Sequence, residues 1–282
     1  MSNTTRREMM KMSGAAVAVV SAGGSPFSAG QLPGQAGGEP SASQSAAPSG
    51  IMAIAAHPGD AFFAMGAPVA LATHQGGRGF FLSLTLGEGG SATIPPAQYG
   101  IMQRDAARKA ASELGAEALF LQYPDGQLPD NDEVSLAVCD LLRRYKPDTI
   151  VTHWKGSWHK DHRACYDIVQ NAVFYAALPA LTRSAPAHGV RQLLFADNWE
   201  DVDGFTADTF LDISPVYELY SNACGVFPMW RGENGFRYND YYASRAVECG
   251  CLSHCRYAVG LMSPPSQRVR VLHALHEESH PH

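Results

Sequence analysis

The chain has 282 residues, a formal net charge of −6 at pH 7, and 45% hydrophobic against 17% charged residues. This length and apolar content suffice for one large buried core, so a single globular domain is the simplest arrangement. Lysine and arginine are scattered, whereas a nucleic-acid or anionic-membrane surface requires a concentrated basic face, so neither partner is expected. A small neutral or mildly charged ligand is the better match, and the composition leaves the oligomeric state open.

The amino-terminal 32 residues have the pattern of an export signal. Arg6 and Arg7 precede an apolar run from Met9 to Ala22, which is too short to span a bilayer permanently. The arginine pair resembles a twin-arginine signal, with a disordered basic tail as the alternative. Residues 33–49 are rich in Gly, Ser, Ala, Pro and Gln and are predicted to form a disordered linker. We therefore expect a periplasmic or extracellular protein with one domain over residues 50–282.

Apolar strands alternate with helices along this domain. Strands are predicted over 51–57, 79–86, 118–123 and 148–154, and helices over 61–75, 96–115, 133–145 and 161–175. Strands separated by helices of this length favour an α/β fold of the Rossmann-like class, a mostly parallel sheet with helices on both faces. In such open sheets, ligands bind at the carboxyl ends of the strands.

Ionisable residues follow the end of each predicted strand. In chain order they are His57 and Asp60, Glu88, Asp125, and then His153, His159, Asp161 and His162. His159 and His162 can approach a common point at the start of a helix, where Asp161 is placed to orient one of them. Together with His57 and Asp60, these imidazoles offer donors for a tetrahedral zinc site with one open position. The alternative is a set of capping and surface histidines, with Asp161 as a helix cap.

Six cysteines are present, and they form two groups. Cys139 and Cys165 lie in apparently amphipathic helical stretches and are predicted to be core residues. The other four lie towards the carboxyl end: Cys224, Cys249, Cys251 and Cys255. An oxidising compartment favours one or two disulfides among these four. A thiolate metal site is the alternative, although the C-x-C-x₃-C spacing lacks the paired C-x₂-C pattern of zinc sites.

The segment AHPGDA at 56–61, followed by HKDH at 159–162, resembles the PIG-L (LmbE-like) family of zinc-dependent deacetylases. Members of this family remove N-acetyl groups from N-acetylglucosamine conjugates. Further similar stretches are TLGEGG at 85–90, YPDG at 123–126, YKPDTIVTH at 145–153, FLDIS at 210–214 and YAVGL at 257–261. The resemblance thus extends over nearly all of the chain beyond residue 50.

This resemblance implies roles for particular residues. The implied ligands of one Zn²⁺ per chain, or of another divalent metal, are His57, Asp60 and His162. His159, oriented by Asp161, is the implied catalytic imidazole that assists the tetrahedral intermediate and the departing amine.

Four further residues are predicted to contact the substrate or border its site. The resemblance places Arg104 and Asp125 against the sugar hydroxyls and Glu88 at the edge of the site, without a chemical step. Trp158 and the nearby Trp154 suit stacking on a sugar face, with packing of their loop against the core as the alternative.

The chain departs from the family pattern at the first motif. Where the family reads His-Pro-Asp-Asp-Glu, this sequence has Gly59 at the third position and Ala61 at the fifth. The first carboxylate of that motif is the implied general base, which takes a proton from the attacking water, and glycine cannot do so. Glu88, Asp161 or His159 are candidates to replace it, and a second interpretation is that Gly59 makes room for a bulkier substrate.

The sequence therefore predicts a metal-dependent N-deacetylase that acts on an N-acetylglucosamine-type conjugate or a related small amide and lacks its usual base. The alternative is a weak or inactive family member that binds sugar or metal without turnover. A metal-free hydrolase is not favoured, because the sequence contains no G-x-S-x-G nucleophile motif.

Overall fold

Seven strands form one sheet in the computed structural model, which describes residues 50–267. The strands are β1 (Gly50–Ala55), β2 (Arg78–Thr85), β3 (Ala116–Tyr123), β4 (Thr149–Thr152), β5 (Gln192–Ala196), β6 (Thr209–Asp212) and β7 (Ala258–Met262). Their order is β3-β2-β1-β4-β5-β7-β6. The first five strands run parallel, whereas β7 is antiparallel to both β5 and β6. The predicted mostly parallel α/β architecture is confirmed.

Seven α-helices connect the strands. They are α1 (Pro58–Phe63), α2 (Gly66–His74), α3 (Pro96–Glu113), α4 (Asp132–Tyr145), α5 (Lys160–Ala177), α6 (Tyr217–Cys224) and α7 (Tyr238–Leu252). None of the helices between residues 50 and 267 is both long enough and apolar enough to cross a membrane. Two predicted segments lie outside the described residues, namely the signal over 1–32 and the linker over 33–49. The same is true of the histidine-rich stretch HALHEESHPH at 273–282. Export therefore stays a prediction.

The central strand β1 feeds a core on each face of the sheet. All six of its residues are buried. Ile51, Ala53 and Ala55 pack into one apolar cluster, whereas Met52 and Ile54 pack into the other. Because successive side chains of a strand point to opposite faces, a strand that is covered on both sides must be apolar at every position.

The prediction of one continuous helix over 61–75 is wrong, because the structure contains two short helices there. Pro68 has no N–H to donate to the carbonyl of Ala64, and its ring would clash with that carbonyl inside a continuous helix. The chain therefore starts a new helix at Gly66, which places Pro68 in the first turn, where its missing N–H does no harm.

The aromatic-rich sequence of segment 227–245 predicts either a rim loop that shapes the pocket or a surface loop with one buried anchor. The structure has more regular structure there than either prediction, namely a 3₁₀ turn, Pro228–Arg231, and the first half of α7. Met229 and Tyr238 from this segment do line the cavity that is described below.

Candidate metal centre

The candidate site lies where the strand order reverses. The chain proceeds from β1 outward to β2 and β3, and then crosses to β4 on the other side of β1. At this switch point the connections after β1 and β4 diverge and leave a crevice beyond the carboxyl ends of the strands. His57 and Asp60 follow β1, and His162 lies in the first turn of α5 after β4.

The three ligands that the sequence predicted lie together in this crevice. His57 Nδ1 lies 2.9 Å from Asp60 Oδ2, and His162 Nε2 lies 3.1 Å from the same oxygen. The two imidazole nitrogens are 3.3 Å apart. Tetrahedral ligands at the Zn–N and Zn–O distances of about 2.0–2.2 Å lie roughly 3.3 Å from one another. The three donor atoms therefore have the mutual spacing that a single zinc ion requires.

Carboxylates behind the two imidazoles orient these donors. His57 Nε2 lies 3.0 Å from Asp125 Oδ1, and His162 Nδ1 lies 3.0 Å from Glu200 Oε2. A carboxylate at the rear nitrogen favours a proton there and leaves the front nitrogen with a free lone pair. Two such lone pairs and a carboxylate oxygen then face one point, an arrangement that a cation stabilises. The donor set fits a divalent metal.

The electrostatics of the metal-free site agree with this conclusion. Burial opposes ionisation of Asp60, but His162 and His57 outweigh that effect and hold the pKa of Asp60 well below its usual range. Burial likewise disfavours protonated His57, yet neighbouring carboxylates raise the pKa of His57 well above its usual value. Positive charge is thus favoured at this point, and a metal ion would supply it in place of protons.

His159 has a fixed tautomer at the edge of the site. It is the N-cap of α5, and its Nδ1 accepts a hydrogen bond from the Asp161 backbone N–H at 3.2 Å. Burial, and then the nearby His57 and His162, lower the pKa of His159 and favour the neutral ring. A neutral ring that accepts through Nδ1 carries its proton on Nε2. His159 lines the cavity and can therefore donate a hydrogen bond through Nε2.

The expectation that the Asp161 carboxylate orients His159 is wrong, since the Asp161 main chain does so. The carboxylate is fully buried and accepts from the backbone N–H groups of Gly126 at 2.7 Å and Leu128 at 3.3 Å. It also lies 3.6 Å from His57 Nε2. Asp161 therefore fixes the turn after β3 and backs a predicted ligand.

Glu88 and Asp125 link the segments that follow β2 and β3 beside His57. Glu88 Oε1 accepts from the Asp125 N–H at 2.9 Å, and Asp125 Oδ2 accepts from the Gly89 N–H at 2.8 Å. Asp125 lines the cavity next to His57, whereas Glu88 supports it from behind. Of the three candidate replacement bases, Glu88 and Asp161 are thus engaged with backbone N–H groups, and neutral His159 presents a proton.

Apolar atoms border the position of the missing base. Gly59 lies in α1, and a Cβ placed there would lie 3.2 Å from Met229 Sδ and 3.2 Å from Phe63 Cε2. Both contacts are closer than ordinary van der Waals distances. A side chain at position 59 therefore requires the thioether and the aromatic ring to shift by a few tenths of an ångström. Ala61, the second departure, is fully buried in the core.

The cavity beside the three predicted ligands has a volume of about 140 Å³ and is named here the metal-side cavity. Its wall includes His57, Gly59, Asp60, Tyr99, Gln103, Asp125, His159, His162, Glu200, Met229 and Tyr238. Arg104 is not in this wall, and its Nε lies 3.4 Å from the Asp105 carboxylate. In α3 the turn of the helix instead directs Tyr99 and Gln103 to the cavity.

The two predicted tryptophans differ in their environment. Trp158 is 53% exposed and packs edge-on against Trp199 near His159. Trp154 is buried, and its Nε1 donates to the Asp203 carbonyl at 2.8 Å. Only Trp158 therefore presents a ring that is free to stack on a ligand.

Sequence reasoning missed two residues around the predicted ligands. Asn198 Nδ2 donates to Asp60 Oδ1 at 3.1 Å, and Glu200 backs His162. Both residues follow β5, and the rule for strand ends would have found them if that strand had been predicted. His153, one of the clustered imidazoles after β4 for which no role was predicted, is buried and stacks on the His162 ring at 3.9 Å.

The cysteines do not form the predicted disulfides. All six are free thiols, and Cys139 and Cys165 are buried, as predicted. Cys224 is in the core with its thiol 3.6 Å from the Phe62 carbonyl, whereas Cys255 contacts the Ser253 hydroxyl and the Tyr257 carbonyl. Over residues 50–267, the groups of side chains that could hold a metal consist of histidines and aspartates around His57 and His162.

Comparison with known proteins relates part of the chain to a family. The sequence profile of the family described as "PIG-L: GlcNAc-PI de-N-acetylase" matches residues 52–173, a span that includes all three predicted ligands. This span carries a PIG-L family domain. Among curated proteins, it is similar to 4-oxalmesaconate hydratase of Pseudomonas putida KT2440, at 24% identity over 176 residues, 59% of this chain and 68% of that protein.

Solved structures share the fold of this PIG-L domain. The 4-carboxy-2-hydroxymuconate hydratase of Pseudomonas putida KT2440 has a TM-score of 0.71 and 22% identity, covering 80% of this chain and 99% of that chain. The N,N'-diacetylchitobiose deacetylase of Pyrococcus horikoshii has a TM-score of 0.66 and 20% identity, covering 78% of this chain and 85% of that chain. The fold thus occurs in proteins that are named as deacetylases and as hydratases.

Proposed function

We propose that this chain is a metal-dependent amide hydrolase that removes the acetyl group from an uncharged N-acetylated amino sugar, such as an N-acetylglucosamine conjugate. The observation that carries the proposal is the convergence of His57 Nδ1, Asp60 Oδ2 and His162 Nε2 within 2.9–3.3 Å, beside the proton-bearing edge of His159. When bound, zinc would polarise the amide carbonyl and make water nucleophilic near neutral pH.

Three further side chains act on the substrate in this proposal, namely His159, Asp125 and Trp158. The Nε2–H of His159 donates a hydrogen bond to the amide oxygen as negative charge develops there. The proton that the departing amine needs comes from the attacking water, because a neutral imidazole that gave up its Nε2–H would become an imidazolate. Asp125 lies beside His57 in the wall of the cavity and accepts hydrogen bonds from sugar hydroxyls. Trp158 offers an exposed aromatic face at the rim.

A second candidate is water addition to a carbon–carbon double bond, since two similar proteins are named as hydratases. The carboxy-muconate in one of those names is an anionic compound. The carboxylates Asp60, Asp125 and Glu200 line the metal-side cavity here, and like charges repel at close range. The charge of the wall therefore favours an uncharged amide over a polycarboxylate.

The two functions are separated by product analysis with the full chain loaded with one equivalent of zinc. We expect primary amine to be released from methyl N-acetyl-β-glucosaminide, and no change in the absorbance of an unsaturated dicarboxylate such as muconate. If no amine is released at any zinc loading and the muconate absorbance is lost, the amide-hydrolase proposal is overturned in favour of hydration.

Restoring a carboxylate at position 59 is expected to require room as well as charge. Gly59→Asp alone is expected to raise kcat less than tenfold, because the new Cβ meets Met229 Sδ and Phe63 Cε2 at 3.2 Å. The double variant Gly59→Asp/Met229→Ala leaves only the Phe63 ring to shift, and it is expected to raise kcat more than the single variant, up to the roughly 10²–10⁴-fold that a general base usually contributes. Met229→Ala alone is the matched control, and kcat is measured from amine release.

An equal gain in the single and the double variant would show that Met229 does not limit the base. No gain in either variant would show that another group already accepts the proton from water.

A further inference from the structure

A second cavity of about 410 Å³ adjoins the metal-side cavity. The two cavities share Gly90, Tyr99 and Met229 in their walls. Met229 Sδ is also the atom that occupies the space beside Gly59. Because the same side chains form the partition, a ligand that leaves the metal-side cavity over Tyr99 and Met229 enters the second cavity directly.

The far wall of the second cavity is a preformed turn over residues 91–94. The Ser91 hydroxyl accepts hydrogen bonds from the Thr93 N–H at 3.2 Å and the Ile94 N–H at 3.0 Å. Gly90 lies under the Tyr99 ring, where a Cβ would approach Cε1 to 3.2 Å. Hydrogen bonds of this kind fix a loop without help from a ligand, so the second cavity exists before anything binds.

The lining of the second cavity is mixed. Its apolar side chains are Ala92, Ile94, Met102, Pro228 and Met229, and Ser91, Thr93, Tyr99 and Asn234 add uncharged polar groups. The carboxylate of Glu233 at the edge is paired with Arg231 at 3.3 Å. Apolar surface interleaved with uncharged polar groups stabilises an uncharged, partly apolar ligand, whereas an anionic one would lose its hydration without gaining a partner.

We infer that the two cavities form one divided substrate site, in which the second cavity binds an uncharged, partly apolar tail attached to the reacting amino-sugar head. Met229 and Tyr99 form the division between head and tail. The assignment of the head rests on the proposed function, whereas the assignment of the tail rests on the second cavity alone.

Binding of amine products tests this inference without any turnover. The probes are three β-glycosides of glucosamine, with methyl, octyl and 7-carboxyheptyl tails, titrated calorimetrically into the zinc-loaded full chain below the micelle concentration of the octyl compound. We expect the octyl glycoside to bind at least about tenfold more tightly than the methyl glycoside. The carboxyheptyl glycoside is expected to bind at least about tenfold more weakly than the octyl glycoside, because a carboxylate loses far more hydration than a methyl group on an apolar wall.

Two tryptophan variants locate the tail. Ile94→Trp fills the second cavity and is expected to remove the advantage of the octyl tail. Ile101→Trp is the matched control, because Ile101 is 49% exposed on α3 and lies outside both walls. Met102→Trp is a second blocking variant in case Ile94→Trp fails to fold, and thermal melting monitors the fold of each protein.

Equal affinities for the methyl and octyl glycosides, or an octyl advantage that persists in both blocking variants, would overturn the inference. An octyl advantage that Ile94→Trp or Met102→Trp removes supports it even if no amine is ever released, in which case the proposed function alone fails. Amine release without any tail preference supports the proposed function and refutes the second cavity as its subsite.

Discussion

Replacing His162 by alanine is expected to lower the affinity for zinc by roughly 10²–10³-fold. Binding free energies of about 10–16 kcal/mol shared by four ligands correspond to roughly 2.5–4 kcal/mol for each ligand. His162 is 1% exposed and supplies the donor that links the second motif to His57 and Asp60. Competition with a chromogenic chelator measures the change directly and does not depend on catalysis.

Glu200→Gln is the matched comparison for this prediction. It retains the size of the side chain 3.0 Å behind His162 Nδ1 but loses the negative charge. Removal of an outer partner of a metal-bound histidine usually costs roughly 10–100-fold in affinity. If His162→Ala binds zinc as tightly as the parent chain while it stays folded, His162 is not a ligand and the proposed centre is wrong.

Replacing His159 by alanine is expected to lower kcat by roughly 10²–10³-fold while zinc affinity stays close to that of the parent. The reason is that the Nε2–H of His159 is the hydrogen-bond donor for the developing negative charge, whereas its Nδ1 is engaged by the Asp161 N–H. Alanine also removes the N-cap of α5, which costs about 1 kcal/mol of stability. Initial rates of amine release and chelator competition on the same samples separate the two effects.

His159→Asn distinguishes capping from hydrogen-bond donation to the amide oxygen. Asparagine is a good N-cap, but its shorter side chain, once it caps α5 through Oδ1, does not reach the position of the imidazole Nε2–H. We expect this variant to recover the melting temperature of the parent and to remain impaired in kcat. Full recovery of kcat would mean that His159 acts only by capping α5, contrary to the proposed role.

The parts of the fold that sequence predicted best are those with strong local patterns. The parallel half of the sheet was predicted from the wholly apolar run of β1 and from the helical spacing in α3 and α5. The break before Gly66 was not predicted, because the apolar residues on both sides of Pro68 have the pattern of one continuous helix. β5, β6, β7 and α7 were not predicted as elements, since their short or aromatic-rich segments have a weak hydrophobic period.

The candidate site was predictable to the extent that its residues follow predicted strands. His57, Asp60 and His162 meet because parallel strands end at the same edge, which the order of motifs already indicated. The contact of Met229 with the space beside Gly59 joins residues 170 positions apart in a region without a motif. For the same reason the sequence indicated that a base was absent at position 59 but not that Met229 and Phe63 crowd that position.

The most direct test of the central claim, a metal held by His57, Asp60 and His162, is a crystal structure of the zinc-loaded chain with diffraction data on both sides of the zinc absorption edge. The account predicts one anomalous peak per chain, about 2.0–2.2 Å from His57 Nδ1, Asp60 Oδ2 and His162 Nε2, with Glu200 still behind His162. A peak elsewhere, or one that two of these three atoms do not reach, would contradict it.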